Sequence, residues 1–418
     1  MSRERVVFHI DVNSAYLSWE AVYRLQHGET LDLRTVPSIV GGDPVTRHGI
    51  VLAKSIPAKK YKIKTGETVM QATMKCPDLI IVPPRYDIYI QASAAMVEIL
   101  KEYSPKIQRF SIDEVFLDYT NMEYHFGDPV SAAHRIKDRI YNELGFTVNI
   151  GISTNKLLAK MAGDFEKPNK VHTLFPEEIK EKMWQLPIEE LFMCGPKTVP
   201  KLKKRGINTI GDLANTDVSL VRHWLKSHGV LLWNYANGIE NSDVSNTGIL
   251  MKGIGNSTTT PVDLDDIDSI KLYILSLTEM VAMRLRDAQK SAGVLSVSLR
   301  DKNFNNYSHQ RKLGFSTDST SILYEIACQL LEEMWDGKPI RHIGIRVSEL
   351  QDNTFYQTSM FYPDVEKQRS IDRTIDKIRA KYGSSAIMRS SVLGTPVAPV
   401  MGGVPGENDE FPMMTSIL

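Results

Sequence analysis

KIQRFSIDEVFLDYT, residues 106–120, reads as two short strands meeting in a tight turn at the polar break Ser111-Ile112-Asp113-Glu114. The flanking sequence gives the hairpin its place. Before it, the apolar spacing from Tyr86 to Tyr103 is helical, and VVFHI (6–10) is a short apolar run suited to a buried strand. Asp11-Val12-Asn13-Ser14 follows that strand and leads into a helical pattern from Ala15 to about His27, with Gly28 as a stop. After the hairpin come a predicted helix (130–143), a strand (147–152) and a second helix (155–165). Strand, helix, hairpin, helix, strand is the split βαβ order, and it sets Asp11 and the SIDE turn on neighbouring strand ends.

A chain of 418 residues, 42% apolar and 24% charged, has the composition of a globular protein of roughly two to four domains. No run reaches the ~18 apolar residues of a membrane span, and MSRER passes directly into VVFHI, so a cytoplasmic protein without membrane contact is expected. Cys76, Cys194 and Cys328 are odd in number and far apart, which argues against a disulfide framework or a zinc site. Lys+Arg and Asp+Glu balance at 50 each. The basic residues nevertheless cluster, in KSIPAKKYKIK (54–64) and KTVPKLKKR (197–205), while acids gather in PVDLDDID (261–268) and GENDE (406–410).

Asp11, Asp113 and Glu114 are the candidates for the chemistry. Adjacent strand residues point to opposite faces, so Asp113 and Glu114 share a site only where the turn breaks the alternation. Three carboxylates converging without evident cationic partners would repel one another, and divalent cations, Mg²⁺ best of all, are the usual remedy. The alternative from spacing alone is a polar hairpin turn beside a helix-capping Asp11. In NIGISTNKLLAKMAGDFEKPN (149–169) a strand gives way to a helix on which Lys156 and Lys160 share a face, with Lys167 standing where Pro168 ends it. Lysines so placed suit a triphosphate, and Lys59 and Lys60 are candidates to approach from residues 30–80, a stretch broken by Gly, Pro and Lys that predicts a small, partly irregular subdomain.

FHIDVNSAYLSWEA (8–21), FSIDEVFLD, the 149–169 segment, LFMCGPKTVPKLKKRGINTIGDLA (191–214) and KGIGNSTTTPVDL (252–264) together resemble the Y family of translesion DNA polymerases. The resemblance spans roughly residues 6–360. It implies an α+β, right-handed polymerase with a ferredoxin-like palm, small fingers, a helix-hairpin-helix thumb and a second split-βαβ domain, the little finger. The implied boundaries are palm 1–28 and 81–175, fingers 29–80, thumb 176–240, linker 241–252, little finger 253–350 and a tail from 351 to 418. By resemblance, Asp11, Asp113 and Glu114 are catalytic and hold two Mg²⁺ ions with the Val12 carbonyl. Tyr16 takes the steric-gate position under the incoming sugar, Lys59 and Lys167 meet the triphosphate, and Gly195, Lys197 and Lys201 contact DNA.

The partners so implied are primer-template DNA and deoxynucleoside triphosphates, handled by a monomer of low fidelity without proofreading. In YQTSMFYPD (356–364), Gln357, Met360 and Phe361 resemble the peptide that binds a sliding clamp. Several positions depart from the family pattern. Ile56 and Lys59 stand where a tyrosine and an arginine are common, Lys170 replaces a glycine, and Met193 replaces the first of two hairpin glycines. Ile371, Ile375 and Ile378 predict an amphipathic helix ending near Gly383, followed from about Thr395 by a Gly- and Pro-rich, disordered end. A nucleotidyl cyclase-like palm enzyme has no use for the thumb and little finger. A non-catalytic DNA-binding or clamp-associated protein has no need of all three carboxylates.

Overall fold

The computed structural model describes residues 5–43, 47, 49–246, 251–353 and 365–398. They form two compact units, one built from residues 5–41 and 51–246 and the other chiefly from 251–353 and 365–398. The architecture is α+β, as the order of predicted elements requires.

The first unit is organised by β1 (Val7–Val12), buried along its whole length. Helix α1 (Ala15–Gln26) follows, then β2 (Ser38–Gly41), β3 (Val51–Lys54), α2 (Ile56–Lys60), α3 (Val69–Lys75), β4 (Ile80–Val82) and α4 (Tyr86–Lys101). The hairpin is β5 (Ile107–Arg109) and β6 (Glu114–Asp118). Beyond it lie α5 (Glu123–Phe126), α6 (Pro129–Leu144), β7 (Val148–Ser153), α7 (Lys156–Gly163) and β8 (Val171–Thr173). The main sheet, among the described residues, runs β5-β6-β1-β7-β8, with β1 antiparallel to both neighbours and β8 parallel to β7. Alternation along β1 sorts its side chains. Phe8, Ile10 and Val12 join the core with Met96, Leu100, Ile136 and Ile140 of α4 and α6, leaving His9 and Asp11 to the face covered by α7.

Residues 30–80 are more regular than their Gly, Pro and Lys content predicts. β3, β2 and β4 form their own sheet over a core of Ile39, Val51, Ala58, Ile63, Val69 and Leu79. Strands of three or four residues are too short to leave a periodic signature. Side-chain caps then start the helices: Ser55 accepts from Ala58 N–H, and Thr68 and Gln71 form a reciprocal capping box. The next segment carries α8 (Val199–Lys203), α9 (Ile210–Ala214) and α10 (Val218–Ala236), the last kinked at Lys226. Residues 241–246 do not leave the unit as a free connection. Val244 is buried against Val7, Phe116 and Ala159, and the Asn246 side chain bonds the backbone of Pro105 and Ile107.

The second unit repeats the split βαβ order: β9 (Gly253–Leu264), α11 (Ile267–Asp287), β10 (Lys290–Asp301), β11 (Asn306–Thr317), α12 (Thr320–Met334) and β12 (Ile340–Asp352). Its sheet runs β11-β10-β12-β9. Leu295, Val297, Leu299, Ile343, Ile345 and Val347 pack under α11 and α12. The alternate positions, Ser296, Ser298, Arg300, Gln310, Lys312, Gly344 and Arg346, form the opposite, polar face. Helix α13 (Val365–Tyr382) ends beside Gly383 as expected, with Ile375 and Ile378 partly buried, but charged residues share its inner face. Ile371 is 43% exposed, while Arg369, Asp372 and Arg379 are buried. The reason is electrostatic: Asp318, Arg286 and Glu279 wait on the body of the unit, and they pair with Arg369, with Asp372 and Asp376, and with Arg379.

Gly151 is the tightest point between β7 and α7. A Cβ there would lie 1.9 Å from the Ala159 carbonyl oxygen and 2.4 Å from the Gly163 nitrogen, both backbone atoms that cannot step aside. Gly151→Ala should therefore cost about 3 kcal/mol or more, read as a lowered denaturant midpoint. An unchanged midpoint would show that the helix is not seated on the strand in this way.

Candidate active site

The end of β1 is fastened on both sides. Val12 N–H donates to the Asp113 carbonyl (3.1 Å) and Asn13 N–H to the Thr147 carbonyl (3.0 Å). Ser14 then takes a left-handed conformation (φ 53°), turning the chain into α1, and the Ser18 hydroxyl donates back to the Asn13 carbonyl. This sharp turn brings Asp11 and Tyr16 to one cavity of about 580 Å³. Its other walls include Lys54, Ile56 and Lys59 at the start of the small subdomain, Asp113 from the hairpin turn, and Lys167.

The hairpin turn sends its two carboxylates different ways: Asp113 lines the cavity with Asp11, and Glu114 does not. Phe110 and Ser111 N–H both donate to the Glu114 carbonyl, and the Ser111 hydroxyl donates to Asp113 (2.6 Å). Asp113 opens on the cavity. Glu114, the first residue of β6, lies opposite Asp11 in register and accepts from His9 Nε2 at 3.0 Å.

The carboxylates do have cationic partners, contrary to the expectation from sequence. Lys160 pairs with Glu114, and Lys167 pairs with Asp11 and, at 2.8 Å, with Asp164. The helix α7 and the loop after it supply these ammonium groups from 46 and 156 residues away, a distance no local pattern encodes. Lys160 is thereby committed to Glu114 and sits over the rings of Phe110 and Phe192, at 5.2 and 5.5 Å. Lys156 turns to Gln108 and the Asp243 carbonyl. Neither lines the cavity.

The charges tune one another. Burial alone would raise the Glu114 carboxyl, but His9 and Lys160 outweigh it and hold the group at about 2. Burial raises Asp113, opposed by the Ser111 hydrogen bond and reinforced by the charges of Asp11 and Glu114. Burial would lower Lys167, yet Asp11 and Asp164 keep its ammonium above the ordinary lysine value. Among the described residues no group of three or more His, Cys, Asp and Glu is gathered at metal-ligand separation. The donor set nonetheless suits a divalent cation in kind: hard oxygens in excess, with lysine ammonium groups supplying positive charge beside them.

Other residues shape the site without a sequence signal that singled them out. Lys54 reaches the cavity from β3; burial lowers its pKa, helped by repulsion from Lys59, and the period-2 alternation of VLAK marks its side. Asn149 accepts from the Asn13 side chain and Lys170 N–H and donates to the Gly163 and Glu166 carbonyls, while Asn13 accepts from Asn169 N–H. These two amides fix the loop that carries Lys167.

Gly195, Lys197 and Lys201 lie away from the cavity, in the turn leading into α8 and on that helix. Met193 holds the positive φ (68°) that a glycine would take there, so the turn survives that departure. Gln357, Met360 and Phe361 lie outside the described residues. No helix among the described residues is long and apolar enough to cross a membrane.

The model of the impB/mucB/samB family matches residues 10–164, and that of the family's C-terminal domain matches 251–360. The chain belongs to this family, the Y family of DNA polymerases. The curated relatives include DNA polymerase IV of Clostridium acetobutylicum, 49% identical over 93% of this chain and 98% of that protein. DNA polymerase IV 2 of Bacillus subtilis is 36% identical over 94% of this chain and 96% of its own. Among solved structures, a Y-family chimera of Dbh and Dpo4 aligns at a TM-score of 0.73 and 24% identity, covering 83% of this chain and all of that one. An insertion ternary complex of Dbh DNA polymerase aligns at 0.57 with the same identity and coverage. The α+β polymerase fold implied by the sequence is thus the fold observed.

Glu114 links this Y-family site to pH. A carboxyl whose pKa drops on folding stabilises the protein fully above its unfolded value of 4.5, and that contribution is lost as pH falls toward about 2. Without metal, the urea midpoint should fall more steeply from about pH 5 to about pH 3 in the wild type than in Glu114→Gln. Parallel slopes would contradict the pairing of Glu114 with His9 and Lys160.

Proposed function

We infer that this chain is a DNA-directed DNA polymerase of the translesion type, which adds deoxynucleotides to a primer 3′ end. The observation that carries the reading is the composition of one cavity: two carboxylates, a tyrosine and three lysines, in a chain 49% identical to a DNA polymerase IV. A volume of about 580 Å³ suits a single nucleotide.

In this reading Lys54, Lys59 and Lys167 draw the triphosphate. The flat ring of Tyr16 meets the sugar and excludes a 2′-hydroxyl. The primer 3′-hydroxyl gives its proton to water or a site carboxylate as its oxygen bonds to the α-phosphorus, the bond to the bridging α–β oxygen breaks, and pyrophosphate leaves. Asp11, Asp113 and Glu114, with the Val12 carbonyl, would hold two Mg²⁺ ions. When bound, Mg²⁺ supplies activation of the attacking hydroxyl and neutralisation of phosphate charge. Were Asp11 to turn to a cation, Lys167 would keep its pairing with Asp164 and could also meet the incoming phosphates.

The DNA grip is assigned to two sequence-blind surfaces. The turn at Gly195, with Lys197 and Lys201, presents positive charge, and the polar face of the β9–β12 sheet offers small hydroxyls flanked by Arg300, Lys312 and Arg346. These assignments make the 30–80 subdomain the fingers, the α8–α10 segment the thumb and the second unit the little finger of a cytoplasmic monomer. Gln357, Met360 and Phe361 serve as a clamp tether, a role that rests on their sequence alone.

Asp113→Ala should reduce nucleotide addition more than about a hundredfold. Affinity for primed DNA should stay within about twofold, because the grip lies elsewhere. Extension near the wild-type rate would exclude the carboxylate assignment. Met360→Ala combined with Phe361→Ala should abolish stimulation by a sliding clamp while basal extension persists, whereas equal loss of both activities would assign the pair a folding role.

A further inference from the structure

A gate excludes a hydroxyl only if it cannot step back, and the surroundings of Tyr16 address that requirement. Tyr89 of α4, fully buried, stacks flat on the Tyr16 ring, with centroids 4.8 Å apart and planes 13° from parallel. Tyr86, one helical turn earlier, meets the same ring edge-on at 5.9 Å and 88°, and Trp19 closes a third side at 6.1 Å. Three aromatic side chains therefore back the ring, which also lines the cavity.

Tyr89 is itself anchored. Its hydroxyl donates to the Glu20 carboxylate at 3.2 Å, and Glu20 is fully buried on α1, one turn from Tyr16. Arg85 grips Glu20 with two bonds, at 2.6 and 3.1 Å, and Arg24 adds a third at 2.7 Å. The Arg85 guanidinium also lies over the Tyr23 ring, 4.2 Å from its centroid. A buried carboxylate with two guanidinium partners cannot move without exposing unpaired charge, so α1 and α4 are locked together at the point where the rings stack.

We propose that Tyr89, with Tyr86 beside it, is a specificity-determining backstop that fixes how far Tyr16 can retreat from a 2′-hydroxyl. The proposal rests on the reading of Tyr16 as the sugar gate. It assigns sugar selectivity to residues that touch no substrate: Tyr89 is sealed from the cavity and acts only through the ring in front of it. Loss of the backstop admits the ribonucleotide by letting Tyr16 fold back. Deoxynucleotide binding and the carboxylate site keep their contacts.

The test is the ratio of kcat/KM for a deoxynucleotide to that for the matching ribonucleotide, measured on primed DNA with the full chain. Tyr16→Ala tests the gate, and it should lower the ratio most. Tyr89→Leu, with a thermal melt to establish folding, should lower the ratio by about tenfold, mainly through a smaller ribonucleotide KM, with deoxynucleotide kcat held within about threefold. Tyr89→Phe keeps the ring and should restore the ratio to within about twofold of wild type. Tyr86→Ala removes the edge contact at a half-buried position and should lower the ratio even if Tyr89→Leu does not fold. Tyr16→Ala combined with Tyr89→Leu should be no less selective than Tyr16→Ala alone, because the backstop acts only through the gate.

A collapsed ratio in Tyr16→Ala with an unchanged ratio in folded Tyr89→Leu or Tyr86→Ala overturns the backstop and leaves the gate standing. An unchanged ratio in Tyr16→Ala overturns both.

Discussion

Two ammonium groups neutralise two carboxylates at the end of β1, and the rest of the site depends on that balance. Asp11 and Glu114 face each other across adjacent strands, a placement that would be repulsive without Lys167 and Lys160. Lys160 and Glu114 are largely buried, and removing one partner from such a pair typically costs about 3–5 kcal/mol because a desolvated charge is left behind, whereas Lys167 is exposed to water and its pairing with Asp11 is worth less. The balance explains why α7 lies where it does. Its Gly151 contact lets the helix settle on β7, Lys160 reaches Glu114 from its buried side, and the following loop, fixed by Asn13 and Asn149, delivers Lys167 to Asp11.

The same strand end carries two groups with different supports. Left-handed Ser14 turns β1 sharply into α1, so one short stretch presents a carboxylate and, five residues later, an aromatic ring to one cavity. The carboxylates depend on charge for their placement and the ring depends on packing. These supports come from different elements: α7 and its loop for the first, α4 for the second. Substitutions behind one should therefore leave the other in place.

Much of this was legible in the sequence because it is local. VVFHI, the SIDE hairpin and the helices around them follow short-range periodicity, and their order sufficed for both split βαβ units. What escaped was decided by distant partners or by very short elements. β8 and the strands of the 30–80 subdomain have too few residues for a period, although their caps, Ser55 and Thr68, are ordinary signals. Lys160 resembled a phosphate ligand beside Lys156 until the fold brought it to Glu114. In α13 the isoleucines marked an amphipathic helix, but the buried charges beside them pair with Asp318, Arg286 and Glu279, a preference written outside the helix. Lys54 was visible within the basic run, yet only the cavity distinguishes it from its neighbours.

The central claim is that this cavity joins a nucleotide to a primer under the direction of a template. The most direct measurement is single-nucleotide extension by the purified wild-type chain with Mg²⁺, on a set of primed templates that differ only in the next template base. The account predicts that the primer grows by one residue and that the favoured deoxynucleotide changes with the template base. DNA binding without growth, or growth indifferent to that base, would contradict it.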